Sequence, residues 1–210
     1  TTLSGPVGGI TALAYSSKYN YLASGSSDGG VVIWDLSDYT KCSGFSIEYG
    51  AVSGLRFSTS QTYLWASGEE CIVKFNMASK FVERIIKCEK QLMVSALCVS
   101  SDELTLFTAH ENQIIRAWNL QVPGQEAIIE QFSAHDQYIT CLEIEFFSVW
   151  LFSGSKDGSV RIWDVRDVRV PSATGAPKKP REFFRVLKES EAVIHSIALS
   201  FQTFQVDPNE

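Results

Sequence analysis

Long apolar runs are absent from this 210-residue sequence, and so is any sustained helical pattern. A membrane-spanning helix needs about 18 or more consecutive apolar residues. The most apolar stretch, residues 144–152, is shorter than that and carries Glu145. We therefore interpret it as a buried pair of strands, and we expect no membrane partner. The sequence shows no basic segment followed by an apolar leader, so nothing in it indicates secretion.

Cysteine motifs suited to metal binding or to disulfides are also lacking. The five cysteines form an odd set without a C-x-x-C spacing. We expect neither a disulfide framework nor a zinc site, and a reducing compartment, nuclear, nucleolar or cytoplasmic. The sequence also lacks a phosphate-cradling glycine loop and a paired-carboxylate signature. We therefore expect no cofactor, no metal and no small-molecule substrate.

What the sequence does contain is an internal repeat. The segment GSSDGGVVIWDL at 25–36 returns as GSKDGSVRIWDV at 154–165, and two weaker copies lie between them. Self-similarity at a period of about 42 to 45 residues is typical of repeat architectures. The four units align at three polar or aromatic positions: Ser24, Asp28 and Trp34; Ser67, Glu69 and Phe75; Thr108, Asn112 and Trp118; Ser153, Asp157 and Trp163.

Each unit has the texture of a small antiparallel sheet. Short alternating stretches such as ITALAY and VVIWDL are separated by Gly, Ser, Asp and Asn. Branched and aromatic residues at a period of two predict strands. Asp28-Gly29 and Asp157-Gly158 supply the positive φ that a tight turn between two strands requires.

With Trp34-Asp35 and Trp163-Asp164 closing matching strands, the chain resembles the WD-repeat (WD40) β-propeller family. The resemblance implies an all-β propeller with four four-stranded antiparallel blades at about 6–47, 48–89, 90–133 and 134–188. Residues 194–200 match the start of the first unit, so we expect the first strand of an incomplete fifth blade at 189–210. Propellers close with about 4 to 8 blades. We therefore expect one partial domain, 1–210, from a larger ring of seven blades.

The resemblance also implies a polar chain inside a blade. In WD-repeat proteins a His, a Ser or Thr, an Asp and a Trp are hydrogen-bonded within one blade, and a buried indole N–H needs such an acceptor. The fourth unit has the full set, and the first and third units have partial sets with Pro6 and Lys90 at the His position. The second unit has Phe75 and should rely on apolar packing. The structural residues implied are His135, Ser153, Asp157 and Trp163, with Ser24, Asp28, Trp34, Thr108, Asn112 and Trp118.

His135, Ser153 and Asp157 are also the residue types of a hydrolase triad. The partial copies in sibling units argue against that interpretation, since a nucleophile would not require them. We therefore expect no catalytic residue. His110 and His195 have no metal-ligand partner at close spacing, and we expect no function for either.

Two regions are candidates for partner contacts. In the family, the residue before the turn Asp often faces a partner, and here those residues are Ser27, Glu111 and Lys156, with Tyr138 as a further candidate. An inserted basic loop at 166–182 is either a solvated loop or a contact for RNA phosphates or an acidic partner. Its candidate residues are Arg166, Lys178, Lys179 and Arg181.

Three functions follow from the resemblance. The first is a non-catalytic scaffold for protein, and possibly RNA, contacts in a large assembly. The third and fourth units resemble transducin-β-like propellers of the small-subunit processome, which implies ribosome biogenesis. The second is a substrate receptor of a cullin-4 ubiquitin ligase, because Trp163-Asp164-Val165-Arg166 resembles the W-D-x-R box of such receptors. The third, which we consider the weakest, is a propeller hydrolase.

Overall fold

Sixteen strands in four sheets make up the described part of the chain. The computed structural model describes residues 3, 5, 8–48, 50–88, 92–122, 128–168, 181–188 and 192–199. These residues contain no helix, and therefore none that is long and apolar enough to cross a membrane. Lys178 and Lys179 of the expected basic loop lie outside the described residues, as do Pro6 and Lys90.

Each sheet is one blade of four strands in chain order, and every neighbouring pair is antiparallel. The blades lie side by side, so the expected all-β propeller architecture is confirmed. The strands of blades one and two are β1 (Ile10–Ser16), β2 (Tyr21–Ser26), β3 (Gly30–Asp35), β4 (Thr40–Ser46), β5 (Gly54–Phe57), β6 (Tyr63–Ser67), β7 (Cys71–Asn76) and β8 (Phe81–Lys87). Those of blades three and four are β9 (Val94–Val99), β10 (Thr105–His110), β11 (Ile114–Asn119), β12 (Ile128–Ser133), β13 (Ile139–Ile144), β14 (Trp150–Ser155), β15 (Val160–Asp164) and β16 (Arg185–Leu187).

Antiparallel pairing sorts the turns onto two opposite faces. We call one the hairpin face; it carries the turns between the first and second, and between the third and fourth, strands of each blade. The other is the loop face, which carries the turns between the second and third strands and the connections from blade to blade. On the loop face, Gly29 and Gly158 take φ values of +83° and +77°. Asp157 accepts a hydrogen bond of 2.8 Å from the Ser159 amide, which fixes the turn in blade four.

The blades are joined by apolar cores that lie between neighbouring sheets. In each junction a side chain on the outer strand of one blade packs against the third strand of the next. Phe45 stacks on Phe75 with ring centroids 4.8 Å apart, and Phe132 packs on Trp163 at the same separation. Ile86 shares a buried cluster with Trp118 at the junction between blades two and three. Blade faces are thus buried against each other, since a single sheet cannot bury both of its faces alone.

A second link between blades one and two runs through Val52, which lies two residues before β5. The Val52 amide donates to the Ser26 carbonyl over 3.0 Å. In turn the Thr11 hydroxyl donates to the Val52 carbonyl over 2.5 Å. Val52 is fully buried, because it sits directly over Gly25 of β2.

The same link returns at the end of blade four. The Ile194 amide donates to Ser155 over 3.1 Å, and Thr140 donates to the Ile194 carbonyl. Residues 192–199 form no strand, which corrects our expectation of a strand there. In the other blades the first strand is held by pairing with the second, and the residues that would follow here, 200–210, lie outside the described residues.

The apolar stretch at 144–152 is also different from our expectation. Ile144 ends β13 and Trp150 begins β14, but Phe146 and Phe147 lie exposed in the turn between them. The interpretation as a buried pair of strands was therefore wrong at these two positions. A tight turn on the hairpin face has no neighbouring sheet that could cover its side chains.

The packing of Val52 predicts that Gly25→Ala is destabilising. A Cβ added at Gly25 would lie 2.8 Å from Val52 Cβ and closer still to its Cγ1. Overpacking of a tight core typically costs about 1–3 kcal/mol. We expect a loss of that size in the free energy of unfolding, measured by urea denaturation. Gly9→Ala is the matched control, because a Cβ at Gly9 meets nothing within 4 Å. Equal losses in both variants would contradict the proposed contact.

Candidate functional site

A continuous polar chain crosses the interior of blade four. Trp163 Nε1 donates to Ser153 Oγ over 2.9 Å, and Ser153 Oγ lies 2.7 Å from His135 Nε2. His135 Nδ1 lies 3.0 Å from Asp157 Oδ2. Strands β14 and β15 supply Ser153 and Trp163, whereas His135 comes from the connection after blade three. The structure thus brings together all four residues that the resemblance implied for this blade.

The direction of the hydrogen bonds follows from the two ends of this chain. The indole can only donate and the Asp157 carboxylate can only accept, so Ser153 donates to Nε2 and the imidazole carries its proton on Nδ1. Burial lowers the pKa of His135, against the opposing effect of the Asp157 carboxylate. Burial opposes ionisation of Asp157 too, but hydrogen bonds from Ser159 and His135 hold its pKa at about 2. The chain is therefore a neutral imidazole next to an ionised carboxylate.

The distances in this chain resemble those of a hydrolytic triad, but its surroundings do not suit catalysis. Ser153 is fully buried, so a substrate carbonyl has no route to its Oγ. The same oxygen already accepts the indole hydrogen bond of Trp163. A nucleophile needs access to its substrate, and the buried Ser153 has none. The geometry supports a role in holding β14, β15 and the preceding connection together.

Blade three builds a similar chain with a histidine from another position. Trp118 Nε1 donates to Thr108 Oγ1 over 2.8 Å, and Thr108 Oγ1 lies 2.9 Å from His110 Nε2. His110 is fully buried in β10, two residues after Thr108. We expected no function for His110, and its place in this chain is a structural one. Alternation in β10 was the available signal, because residues two apart in a strand point to the same face.

Blade one retains only part of the chain within the described residues. Trp34 Nε1 donates to Ser24 Oγ over 3.0 Å. Asp28 instead accepts hydrogen bonds from Ser26 and from the amides of Gly8 and Gly30. The hydrogen bonds of Asp28 lower its pKa, that from Ser26 most strongly. Asp28 thus fixes the turn on the loop face.

Blade two has replaced the polar chain with apolar packing. Phe75 occupies the Trp position, is buried and stacks on Phe45. Ser67 Oγ lies 2.9 Å from Ser53 Oγ, so its hydroxyl is satisfied without an indole. Among the described residues, Trp65 of this blade is fully buried and its Nε1 has no hydrogen-bond partner.

The expected contact residues Ser27, Glu111 and Lys156 are exposed on the loop face. Each amide is tied to the chain before the inner strand of its own blade, to Gly9 in blade one, Met93 in blade three and Tyr138 in blade four, over 2.9, 3.2 and 2.9 Å. The side chains therefore project from turns with a fixed backbone.

Three of the expected contact residues lie together where blades three and four meet. Lys156 Nζ lies 4.9 Å from the centre of the Tyr138 ring, a cation–π distance. Burial raises the pKa of Tyr138, and the nearby Glu111 carboxylate raises it further. We call Glu111, Tyr138 and Lys156 the loop-face patch. Ser27 lies on blade one, and no contact joins it to this patch in the described structure.

Two arginines of the expected basic loop are held by acids of the chain itself. Arg166 Nε lies 2.9 and 3.1 Å from the two carboxylate oxygens of Asp164. Arg181 pairs with Glu130 over 2.6 and 2.8 Å, with side chains only 8% and 9% exposed. It also contacts Asp167 over 2.9 Å. This buried ion pair removes Arg181 from the surface on which we expected it to meet RNA or an acidic partner.

No metal centre is formed by the described residues, since no group of three or more His, Cys, Asp or Glu side chains is placed to hold an ion. None of the five cysteines forms a disulfide. Burial raises the thiol pKa of Cys42, Cys71, Cys98 and Cys141. Burial therefore keeps these four groups in the unreactive thiol form.

Comparison with known proteins identifies the repeats. The family model described as "WD domain, G-beta repeat" matches residues 1–35 and 127–164. The chain carries WD40 repeats in these two segments and folds as a β-propeller. It is 31% identical over 135 residues to the small ribosomal subunit protein RACK1y of Oryza sativa subsp. japonica, covering 61% of this chain and 40% of that protein.

Two further relatives carry the same repeats. A WD repeat domain-containing protein 83 homolog of Dictyostelium discoideum is 28% identical over 120 residues, covering 57% of this chain and 37% of the relative. A guanine nucleotide-binding protein subunit beta of Oryza sativa subsp. japonica is 26% identical over 177 residues, covering 79% of this chain and 46% of the relative. The WD40 chain thus matches less than half the length of each of these relatives.

The polar chain of blade four predicts a specific cost for Trp163→Phe. That change removes the indole donor and leaves Ser153 with an unfilled acceptor, which typically costs about 1–3 kcal/mol for a buried group. Trp65→Phe is the matched control, because both indoles are fully buried but only that of Trp163 has an acceptor. We expect Trp163→Phe to lower the free energy of unfolding by about 1–3 kcal/mol more than Trp65→Phe. Equal losses on urea denaturation would show that the hydrogen bond contributes nothing.

His135 predicts a pH dependence of stability. Its pKa is lowered by burial, so between the folded and the ordinary pKa the unfolded chain binds a proton that the folded chain does not. Stability therefore rises with pH in this window. The contribution of His135 to stability is fully present above its ordinary pKa of about 6.5. This contribution is lost as the pH falls through the lowered pKa of the folded state. Melting temperature should drop between about pH 7.5 and about pH 5.

Two histidine variants test whether His135 causes this pH dependence, with His195→Gln as the control. His135→Gln should flatten the change in melting temperature, although it lowers stability at every pH. His195→Gln should leave the change intact, because His195 is exposed. A dependence that survives in His135→Gln would assign it to another group.

Proposed function

We propose that this WD40 chain is a non-catalytic scaffold that binds other proteins through the loop-face patch. The observation that carries the proposal is the grouping of Glu111, Tyr138 and Lys156 on turns whose backbones are fixed by the blades. Binding residues on loops are effective when a rigid scaffold positions them. The polar chains of blades three and four lie directly beneath these turns and hold them in place.

The chemistry of the loop-face patch suits a specific protein contact. Tyr138 offers a half-buried aromatic surface with a polar end, and such anchors contribute much of the energy of protein interfaces. Glu111 and Lys156 add one charge of each sign, which favours a partner with the opposite arrangement. A patch of mixed charge does not favour RNA phosphates, and Arg181, held in its ion pair, adds no positive surface.

For the assembly, we propose the small ribosomal subunit or its precursors. The support is the similarity of the chain to RACK1 proteins, which are small ribosomal subunit proteins, together with the processome resemblance of the third and fourth units. The cullin-4 alternative has less support, because the Arg166 guanidinium is already engaged by both oxygens of Asp164. The hydrolase alternative requires an accessible Ser153, and that residue is buried.

The loop-face patch predicts which variant loses its partner. The test is affinity purification from the source organism with quantitative mass spectrometry. A Tyr138→Ala, Lys156→Glu double variant should recover its specific partners at a level at least about fivefold lower than the unaltered chain does, because an interface anchor has been removed. Lys41→Glu is the control, because Lys41 is exposed on the outer strand of blade one. Unchanged recovery in the double variant would refute the patch as a binding site.

Co-sedimentation with small ribosomal subunits tests the assembly separately. The unaltered chain should migrate with the subunit or its precursors on a sucrose gradient, and the double variant should remain at the top. If the unaltered chain also remains at the top while the purification still recovers patch-dependent partners, the scaffold proposal stands and the ribosomal assignment is wrong.

A further inference from the structure

The turn between β13 and β14 carries two exposed phenylalanine rings. Phe146 is 53% exposed and Phe147 is 76% exposed, and the rings meet edge to face with centroids 5.6 Å apart. The matching turns of the other blades carry polar residues at both positions: Ser17-Lys18, Thr59-Ser60 and Ser101-Asp102. We call residues 145–149 the aromatic turn. Grouped apolar side chains on a surface are typical of interaction sites.

The fold holds the backbone of the aromatic turn in place. The Glu145 carboxylate accepts hydrogen bonds from the amides of Phe147 and Val149 over 2.9 and 2.6 Å. Ser148 Oγ lies 3.0 Å from Ser101 Oγ on the neighbouring turn of blade three. A site that is already ordered binds with a smaller entropic penalty.

Carboxylates lie on both sides of the exposed rings. Glu145 begins the aromatic turn itself, and Asp102 and Glu103 lie on the turn between β9 and β10. The two turns are in contact, because the Ser101 amide donates to Ser148 Oγ over 2.9 Å. The rings therefore stand among acidic side chains from two blades.

The negative charge around the aromatic turn is not balanced by cations of the described chain. Neither Glu103 nor Glu145 forms an ion pair among the described residues. Their hydrogen bonds come from neutral amides, that of Ser60 for Glu103 and those of the turn for Glu145, so both carboxylates keep their charge. Arg56 lines a cavity beside the turn, but it is paired with Glu143 over 2.6 Å. The surface around the rings is therefore net negative.

Aromatic rings and carboxylates attract the same kind of group. The face of an aromatic ring carries partial negative charge, and a guanidinium within about 6 Å of its centre is attracted to it. A planar guanidinium can stack on a ring and also donate its N–H groups to a carboxylate. The rings and the charge of the aromatic turn thus both favour an arginine.

We propose that the aromatic turn is a second docking site, which binds an arginine in an exposed segment of a partner protein. The guanidinium stacks on the Phe147 ring, and Glu103 and Glu145 balance its charge. The site goes beyond the proposed function, because it lies on the hairpin face, opposite the loop-face patch. RNA phosphates and anionic lipid head groups fit less well, since the carboxylates repel them.

Selection from a phage-displayed library of random twelve-residue peptides tests the site. The full 210-residue chain is the target, and the Phe147→Ser chain removes peptides that bind elsewhere. We expect the remaining peptides to share an arginine and to bind Phe147→Ser at least about tenfold more weakly than the unaltered chain. Glu103→Gln should also weaken binding, although it keeps an acceptor for the Ser60 amide.

Two variants are matched controls for these changes. Phe81→Ser removes a ring that is 74% exposed but lies on blade two. Glu48→Gln removes the charge of an exposed carboxylate in the connection after β4. Both should bind the selected peptides as tightly as the unaltered chain does.

A change in the peptide separates binding chemistry from protein stability. Citrulline in place of the shared arginine keeps its shape but removes its charge, and should weaken binding to the unaltered chain at least about tenfold. The proposal is overturned if no peptide survives the subtraction, if the survivors share no arginine, or if the citrulline peptide binds equally well. Phe147-dependent binding to phosphatidylcholine vesicles would overturn it in favour of a membrane contact, and Phe147-dependent self-association in favour of a second copy of the chain.

Discussion

Burial of each blade face against its neighbour is the interaction on which the rest of this structure depends. A four-stranded sheet has two faces, and here the outer strand of one blade covers the third strand of the next, as Phe45 covers Phe75 and Phe132 covers Trp163. Where no neighbouring blade is described, the same positions are open. Leu13 is exposed on β1, whereas its repeat equivalents Leu55, Leu97 and Leu142 are buried.

That packing buries polar N–H groups as well as apolar surface, and the blades satisfy these groups in different ways. A Trp on the third strand fills the junction well but carries an N–H that must be satisfied when water is excluded. Blade four uses a complete chain ending in Asp157, and blade three ends its chain on His110 of the adjacent strand. Blade two avoids the problem with Phe75. On the third strands, different residue sets thus satisfy the indoles of Trp34, Trp118 and Trp163, whereas the buried indole of Trp65 on β6 has no partner among the described residues.

The alternation and turn residues of each unit were sufficient to predict the strands, because both are local signals, and the resemblance to WD repeats implied the propeller. Local signals could not predict features that depend on distant residues. Arg181 pairs with Glu130, which lies on the preceding blade. His110 aligned with Ser26 in the repeat, so its contact with Thr108 was hidden by the alignment. Phe146 and Phe147 suggested a buried strand, since apolar character alone does not show where a strand ends.

Blade four emerges as the part of the chain that connects two surfaces. Tyr138 precedes β13 on the loop face, and Phe146 follows it on the hairpin face. The six residues of β13, Ile139–Ile144, span about 20 Å at roughly 3.3 Å per residue. The two ends of this one strand therefore belong to opposite faces of the blade. The polar chain through His135 fixes the loop end and Glu145 fixes the hairpin end, so the two ends of β13 are held at a constant separation.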